Sequence, residues 1–427
     1  MKKLILIAIA LLSLSAFAQE KNEEPKFGIK FSGFVKSDFF VDTREVTTSR
    51  EGHFLLYPVA ESLDANGKDI NAHPNTNFLA IQSRLSGVIS GPDAFGAKTS
   101  GVLEADFFGN PGDENGFRLR HAFAKLKWTS TELLMGQYWH PMFVTECFPD
   151  VISFNTGVPF QPFSRNPQIR LSQTLGDLKV FVSATTQRDF ASYGPNPDYI
   201  ADSIIPYVPP RIISSMFIRN SAIPNLHAQI QYKPDSTNHV FGIGVDYKAL
   251  LPRTKTLGSS GKNASSEKIQ SISAIAYGKL DFKNFVFRIE GVYAQNPYDI
   301  SMIGGYAQTA TPADPVTGAV SYTNTSTASG WIDMNTKGKK VQVGLFGGFC
   351  KALGADEDVA DYYAKNSTID YVYRVAPRIL FLAGKLTLAF EAEYTAAAYG
   401  TNKADATVIN EKEVGNLRGL FSCIYKF

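Results

Sequence analysis

Long apolar runs are the first thing this sequence lacks. Beyond its N-terminal stretch, no hydrophobic segment reaches the roughly 18 residues a membrane-crossing helix needs, so no such helix is expected. Cysteine is scarce. Cys147, Cys350 and Cys423 are odd in number and far apart, which argues against a disulfide framework. The six histidines are scattered and no Cys/His cluster has metal-site spacing, so no zinc site and no cofactor are expected. An excess of one charge is missing too. The 42 Lys and Arg face 40 Asp and Glu, and loss of Lys2 and Lys3 with a leader would leave the chain formally neutral. Net charge therefore gives no argument for nucleic acid or for an anionic surface. Sustained helical periodicity is almost absent.

What is present begins with that leader. Lys2 and Lys3 precede an apolar run over 4–14 and a small-residue site, Ala16-Phe17-Ala18. This is the pattern of a secretory signal peptide cut before Gln19, and the run is too short to span a bilayer. Residues 1–18 are expected to be the signal and 19–427 to form a single domain. Length alone would suggest two or three soluble domains. The pattern points elsewhere: short segments of alternating polarity recur to the last residue, separated by turn residues.

Splitting these segments by parity shows two faces. In the first, Phe27, Ile29, Phe31, Val35 and Phe39 oppose Lys30, Ser32, Lys36 and Asp38. Farther on, Glu104 and Asp106 oppose Leu103, Ala105 and Phe107; His227, Gln229 and Gln231 oppose Leu226, Ile230 and Tyr232; Glu391 and Glu393 oppose Leu388, Phe390 and Tyr394. An Arg or Lys facing lipid at mid-depth costs roughly 2–4 kcal/mol, so the charged parity must face a wet interior and the apolar parity the acyl chains. A soluble β-sandwich shows the same alternation. The chain length, the leader and the unbroken run of hairpins favour the membrane. The expected fold class is all-β: a closed antiparallel transmembrane β-barrel of about sixteen strands, with short and long connections alternating.

The long connections are read at 42–75, 140–164, 188–224, 249–267, 296–328, 352–369 and 396–413. The stretch 309–328, rich in Thr, Ser and Ala, reads as a solvated loop, and the twelfth strand is the weakest. The last strand sets Leu417, Phe421, Tyr425 and Phe427 against Asn416, Arg418, Ser422 and Lys426. A terminal aromatic on such a strand resembles the signal read by the barrel-assembly machinery.

The stretch 117–170 organises the rest. It reads as two strands joined by a tight turn at Thr129-Ser130, then an aromatic and proline-rich excursion over 140–164, then a return strand. A loop of that size usually has a job. Parity changes within 117–128, after about Ala124, as a β-bulge would make it do; 269–280 is similarly ambiguous. Here the sequence resembles the DcaP-like porins of Gram-negative outer membranes. The resemblance is carried by RLRHAF at 118–123, GQYWHPMF at 136–143 and NPQIR at 166–170, in matching order and spacing. It implies a sixteen-stranded trimeric porin, a loop folded inward between the fifth and sixth strands, and a preference for small anions such as dicarboxylates.

A pore selects by its narrowest ring and the charges around it. Arg118, Arg120 and Arg170 are expected to project toward the loop, with Arg165 holding its far end. Arg84, Arg374, Arg378 and Arg418 would extend a basic track on the interior, the last three solvated. Guanidinium suits this work because it stays charged and grips carboxylates through two parallel hydrogen bonds. Glu146 and Asp150 in the loop are alternative partners that would pin it to Arg118 or Arg120. Tyr138, Trp139, Phe143, Phe148 and Phe160 read as loop packing. His121 invites a hydrolase reading, but no Ser, His and orienting group fall into a motif, so no enzymatic activity is expected. The expectation is a passive channel for small hydrophilic solutes with a preference for anions, set in outer-membrane lipid. A non-selective diffusion porin, or a receptor or adhesin using the long outer loops, are the other readings.

Overall fold

The computed structural model describes residues 27–109, 113, 115–196 and 210–427. The expected signal peptide lies outside them. Sixteen antiparallel strands form a closed wall. The first eight are β1 Gly28–Asp42, β2 Arg84–Ser90, β3 Lys98–Asp106, β4 Arg118–Lys127, β5 Thr131–Trp139, β6 Arg165–Leu175, β7 Leu178–Thr185 and β8 Asn225–Tyr232. The rest are β9 Val240–Leu250, β10 Ile269–Asp281, β11 Phe285–Gln295, β12 Tyr322–Thr336, β13 Val341–Ala355, β14 Ile369–Ala383, β15 Leu386–Asn402 and β16 Val408–Lys426. Each pairs with its neighbours in sequence order. The seam closes where β1 meets β16, with Phe34 opposite Lys426 and Asp42 opposite Arg418. Backbone bonds between Gly33 and Phe427 fix its lower end.

The second stave is broken. Asn75–Leu79 pairs with the upper part of β1 and Arg84–Ser90 with the lower part. In the gap, Ser83 Oγ takes the backbone N–H of Lys36.

Alternation decides what faces where. On β1, Phe31, Val35 and Phe39 are exposed on the outside while Lys36 and Asp38 are buried. On β15, Leu388, Phe390 and Tyr394 point out and Glu391 and Glu393 are buried. An apolar band outside a closed hydrogen-bonded wall leaves no strand edge in lipid, which is what a spanning sheet requires.

The parity change in β4 is a bulge. Glu104 sits opposite His121 and Ala105 opposite Leu119, so Arg120 is the extra residue. Arg120 and His121 are both buried as a result, which straight alternation would forbid. No matching bulge exists in β10, whose pairings run without a shift. Its ambiguity has another cause: Ile275 and Tyr277 on the inner parity are apolar and buried.

Several stretches expected as loops are ordered β-structure. Strand β12 begins at Tyr322, within the Thr- and Ser-rich segment, and Thr323, Thr325 and Thr327 are buried. Val359–Lys365 pairs with Gly304–Thr309, which also pairs with β12. The strands differ greatly in length. β7 and β8 have 8 residues each, whereas β15 has 17 and β16 has 19.

Candidate functional site

Several connecting segments meet the inner parity of the wall, and two of them join at Arg374. The first is a hairpin, Val46–Ser49 with Phe54–Pro58, whose second strand is buried throughout. The second is 140–164. Its hydrogen bonds reach many strands. Lys36 Nζ on β1 donates to the Ile152 carbonyl at 2.6 Å. Gln231 on β8 donates to Glu146 at 2.7 Å, and the Cys147 thiol donates to the Gly278 carbonyl on β10 at 3.3 Å. The N–H groups of Ile152 and Ser153 both donate to Glu391 on β15 at 2.9 Å. Ser329 on β12 donates to the Phe160 carbonyl at 2.8 Å.

Arg374 joins the two segments. Its Nη1 donates to the Val158 carbonyl at 2.8 Å and its Nη2 to the Leu55 and Leu56 carbonyls at 3.1 and 3.2 Å. Asn155 completes the clasp, accepting the Leu55 N–H and donating to Glu393. Around it lies one continuous apolar cluster holding Phe54, Phe154, Phe160, Phe163, Trp331 and Phe346. Trp139 stacks on Phe143 with centroids 3.9 Å apart. A Cβ on Gly348 of β13 would lie 2.5 Å from the Phe160 ring, so a bare backbone there is what admits the ring. The inner face is therefore not wet all round. On this side it is dry because the segments that pack against it are aromatic.

The expected arginines divide into two groups. Arg374, Arg378 and Arg418 are enclosed rather than solvated, at 1%, 4% and 2% exposure. Arg378 grips Asp333 through both terminal nitrogens, and Arg418 grips Asp42 through Nε and Nη2. A buried charge must be paired or bonded, and each of these is.

The second group lies on β2, β4 and β6. Arg120 pairs with Glu104 at 2.8 Å and Asp106 at 2.7 Å. Arg84 approaches the same two acids at 3.7 and 3.9 Å. Arg118 and Arg165 converge on Asp189, at 2.9 and 2.6 Å. Arg170 pairs with no acid among the described residues; it donates to Gln168 and the Trp139 carbonyl and lies over the Phe181 ring at 4.8 Å. Partial solvent access is kept here: Arg118 is 23% exposed and Arg84 20%.

Glu146 and Asp150 do not pin the segment to Arg118 or Arg120. Glu146 is held by Gln231 and Lys233, and the Asp150 N–H bonds to Asp333. The acids that meet the arginines are Glu104, Asp106 and Asp189. Sequence reading missed Asp189 and Arg50, which reaches the same carboxylate at 3.1 Å from the hairpin turn. Their only signal was position in long connections. Burial alone would raise the Asp189 carboxyl, but Arg165, Arg50 and Arg118 together outweigh it and hold it well below the usual carboxylate range. His121 packs among Phe123, Tyr138 and Trp139. The three cysteines are free.

No protein-family model matches the chain, and no curated protein sequence does. Solved structures do. OmpT, an outer-membrane protein of Vibrio cholerae folded in vitro, is similar at 8% identity, with 94% of this chain and 98% of that one covered and a TM-score of 0.54. Its trimer form gives 9% identity, 94% and 99% coverage and 0.53. An anion-selective porin from Comamonas acidovorans gives 10% identity, 94% and 100% coverage and 0.52. At such identity the likeness is one of fold. The chain thus carries a sixteen-strand porin fold, a closed barrel suited to the outer membrane of a Gram-negative bacterium.

Proposed function

We propose that this barrel is a passive channel for small hydrophilic solutes, with a preference for anions such as dicarboxylates, and that it works as a homotrimer of the DcaP-like kind. Segment 140–164 folds inward and narrows the passage, which runs beside β2–β6 because the opposite side is filled. The observation that carries this reading is the charge along that strip. Among the described residues, Arg50, Arg84, Arg118, Arg120 and Arg165 gather around only Glu104, Asp106 and Asp189. A pore wall of that sign, partly wet, concentrates anions and repels cations. The trimer reading draws on the trimer form of the OmpT neighbour.

Reversal potentials in planar bilayers under a salt gradient test it. Anion preference is expected, and Arg84→Ala with Arg118→Ala should weaken it. A channel that prefers cations overturns the reading.

A further inference from the structure

Beside the arginine strip lies a cavity of about 680 Å³, lined among others by Arg50, Phe108, Arg118, Arg188, Asp189 and Phe190. That is within the range of small-ligand sites, roughly 300–1,000 Å³. Its charges do not balance. Arg50, Arg118 and Arg188 in the lining face Glu51 and Asp189. The adjoining strip adds Arg84, Arg120 and Arg165 against Glu104 and Asp106, so cavity and strip together hold two more arginines than acids among the described residues. Two of these arginines are also short of hydrogen bonds. Nη1 of Arg50 and Nη1 of Arg165 are buried and have no acceptor among the described residues, and their side chains are 6% and 1% exposed. Buried guanidinium groups normally spend their donors on acceptors.

Asp189 sits in the middle of this arrangement. Arg165 donates to Oδ2 from Nε and Nη2 at 2.8 and 2.6 Å. Arg118 and Arg50 donate to Oδ1 at 2.9 and 3.1 Å. The carboxylate is thus clasped on both oxygens by three arginines from β4, β6 and the interior hairpin. It belongs to the connection that leaves β7, not to the wall. A carboxylate delivered by a loop into a cage with surplus positive charge is placed as a dissolved carboxylate would be.

We propose that Asp189 is a tethered counter-ion occupying an anion site, and that the carboxylate of a small organic solute binds that site by displacing it. The proposal rests on the anion-channel reading and deepens it. The solute class follows from the lining. Rings of Phe108 and Phe190 lie 5.1 and 5.7 Å from the Arg50 guanidinium, giving a carbon skeleton flat apolar walls that a bare inorganic ion would not use. The exposed Arg188 at the rim offers a second charge, partly offset by Glu51 on the same rim. Self-occupancy weakens apparent affinity by the fraction of cages open at any moment, which lets a carboxylate leave as well as enter.

The test is single-channel block by succinate, with chloride as the carrier ion, on the full-length protein in planar bilayers. Asp189→Asn should lower the half-blocking succinate concentration about fivefold or more. Asp189→Glu keeps the charge but misfits the cage, so it should lower the half-block in the same direction; bulk charge alone would give it no effect. Adding Arg50→Ala to either variant should reverse the gain. Heat-dependent gel mobility verifies that each variant is folded, and either aspartate variant suffices for the test. An unchanged or raised half-block in a folded variant overturns the counter-ion. If wild-type selectivity favours anions while the half-block does not move, only this proposal fails; if wild type favours cations, the channel reading fails first.

Discussion

Arg418 and Arg118 share a residue type, an inward parity and a carboxylate partner, yet one is sealed and the other is wet. Arg418 is 2% exposed and meets Asp42 alone in a two-pronged pair. Arg118 keeps contact with water and shares Asp189 with two other arginines. The same contrast runs through the whole barrel. On β12–β16 and β1, each buried arginine is spent on fastening: on Asp333, on Asp42, or on the carbonyls of the two interior segments. On β2–β6 the arginines outnumber their acids. Stoichiometry separates the fasteners from the strip proposed to favour anions; residue type and parity do not, and Arg120 and Arg165 are as enclosed as Arg418.

Breaking one pair on each side sharpens this contrast. Arg418→Ala leaves the Asp42 carboxylate in the seam with the Asn416 amide but no Arg418 charge, a loss of about 3–5 kcal/mol for a buried pair broken on one side. Arg118→Ala leaves Asp189 with Arg165 and Arg50 and should cost no more than about 1 kcal/mol. Urea unfolding in micelles reads both, and equal losses would erase the distinction. Next in size is Gly348→Ala, which pushes Phe160 off β13; overpacking of this kind costs about 1–3 kcal/mol, and an unchanged midpoint would mean that the ring has room to move.

The smallest effect concerns pH. The folded Asp189 carboxyl is depressed, so its contribution is complete above the ordinary carboxylate range and is lost only as pH falls through the depressed value. Between pH 7 and about pH 4 the cage should therefore stay closed and Asp189 should add nothing to any change in selectivity. The difference between wild-type and Asp189→Asn reversal potentials should stay constant over that interval. A difference that shrinks from about pH 5 downward would show an ordinary carboxyl.

Much of the wall was legible because period-two alternation repeats sixteen times and lipid punishes each error. The bulge at Arg120 was visible as a parity slip, though a few residues from its true place. Strand β12 was read short because its upper part is polar on both faces, leaving no contrast to detect. The dry side escaped for the opposite reason. Ile275, Tyr277 and Trp331 on the inner parity carry an apolar signal that alternation assigns to lipid, and only the packed segment explains it. The partners of the arginines were illegible in principle. Asp189 lies 71 positions from Arg118, and no local pattern ties them.

The unequal strands give the mouth a slant. At about 3.3 Å per residue, the difference between β8 and β16 is about 36 Å along the strand direction. The parapet is tallest over the fastened side and lowest near β7 and β8, beside the arginine cage. On that shorter side the chain between β7 and β8 forms the strand pair Tyr193–Pro195 with Arg211–Ile213 and the helix Met216–Ser221. Where the strands are short, that connection extends the structure; where they are long, the wall itself does.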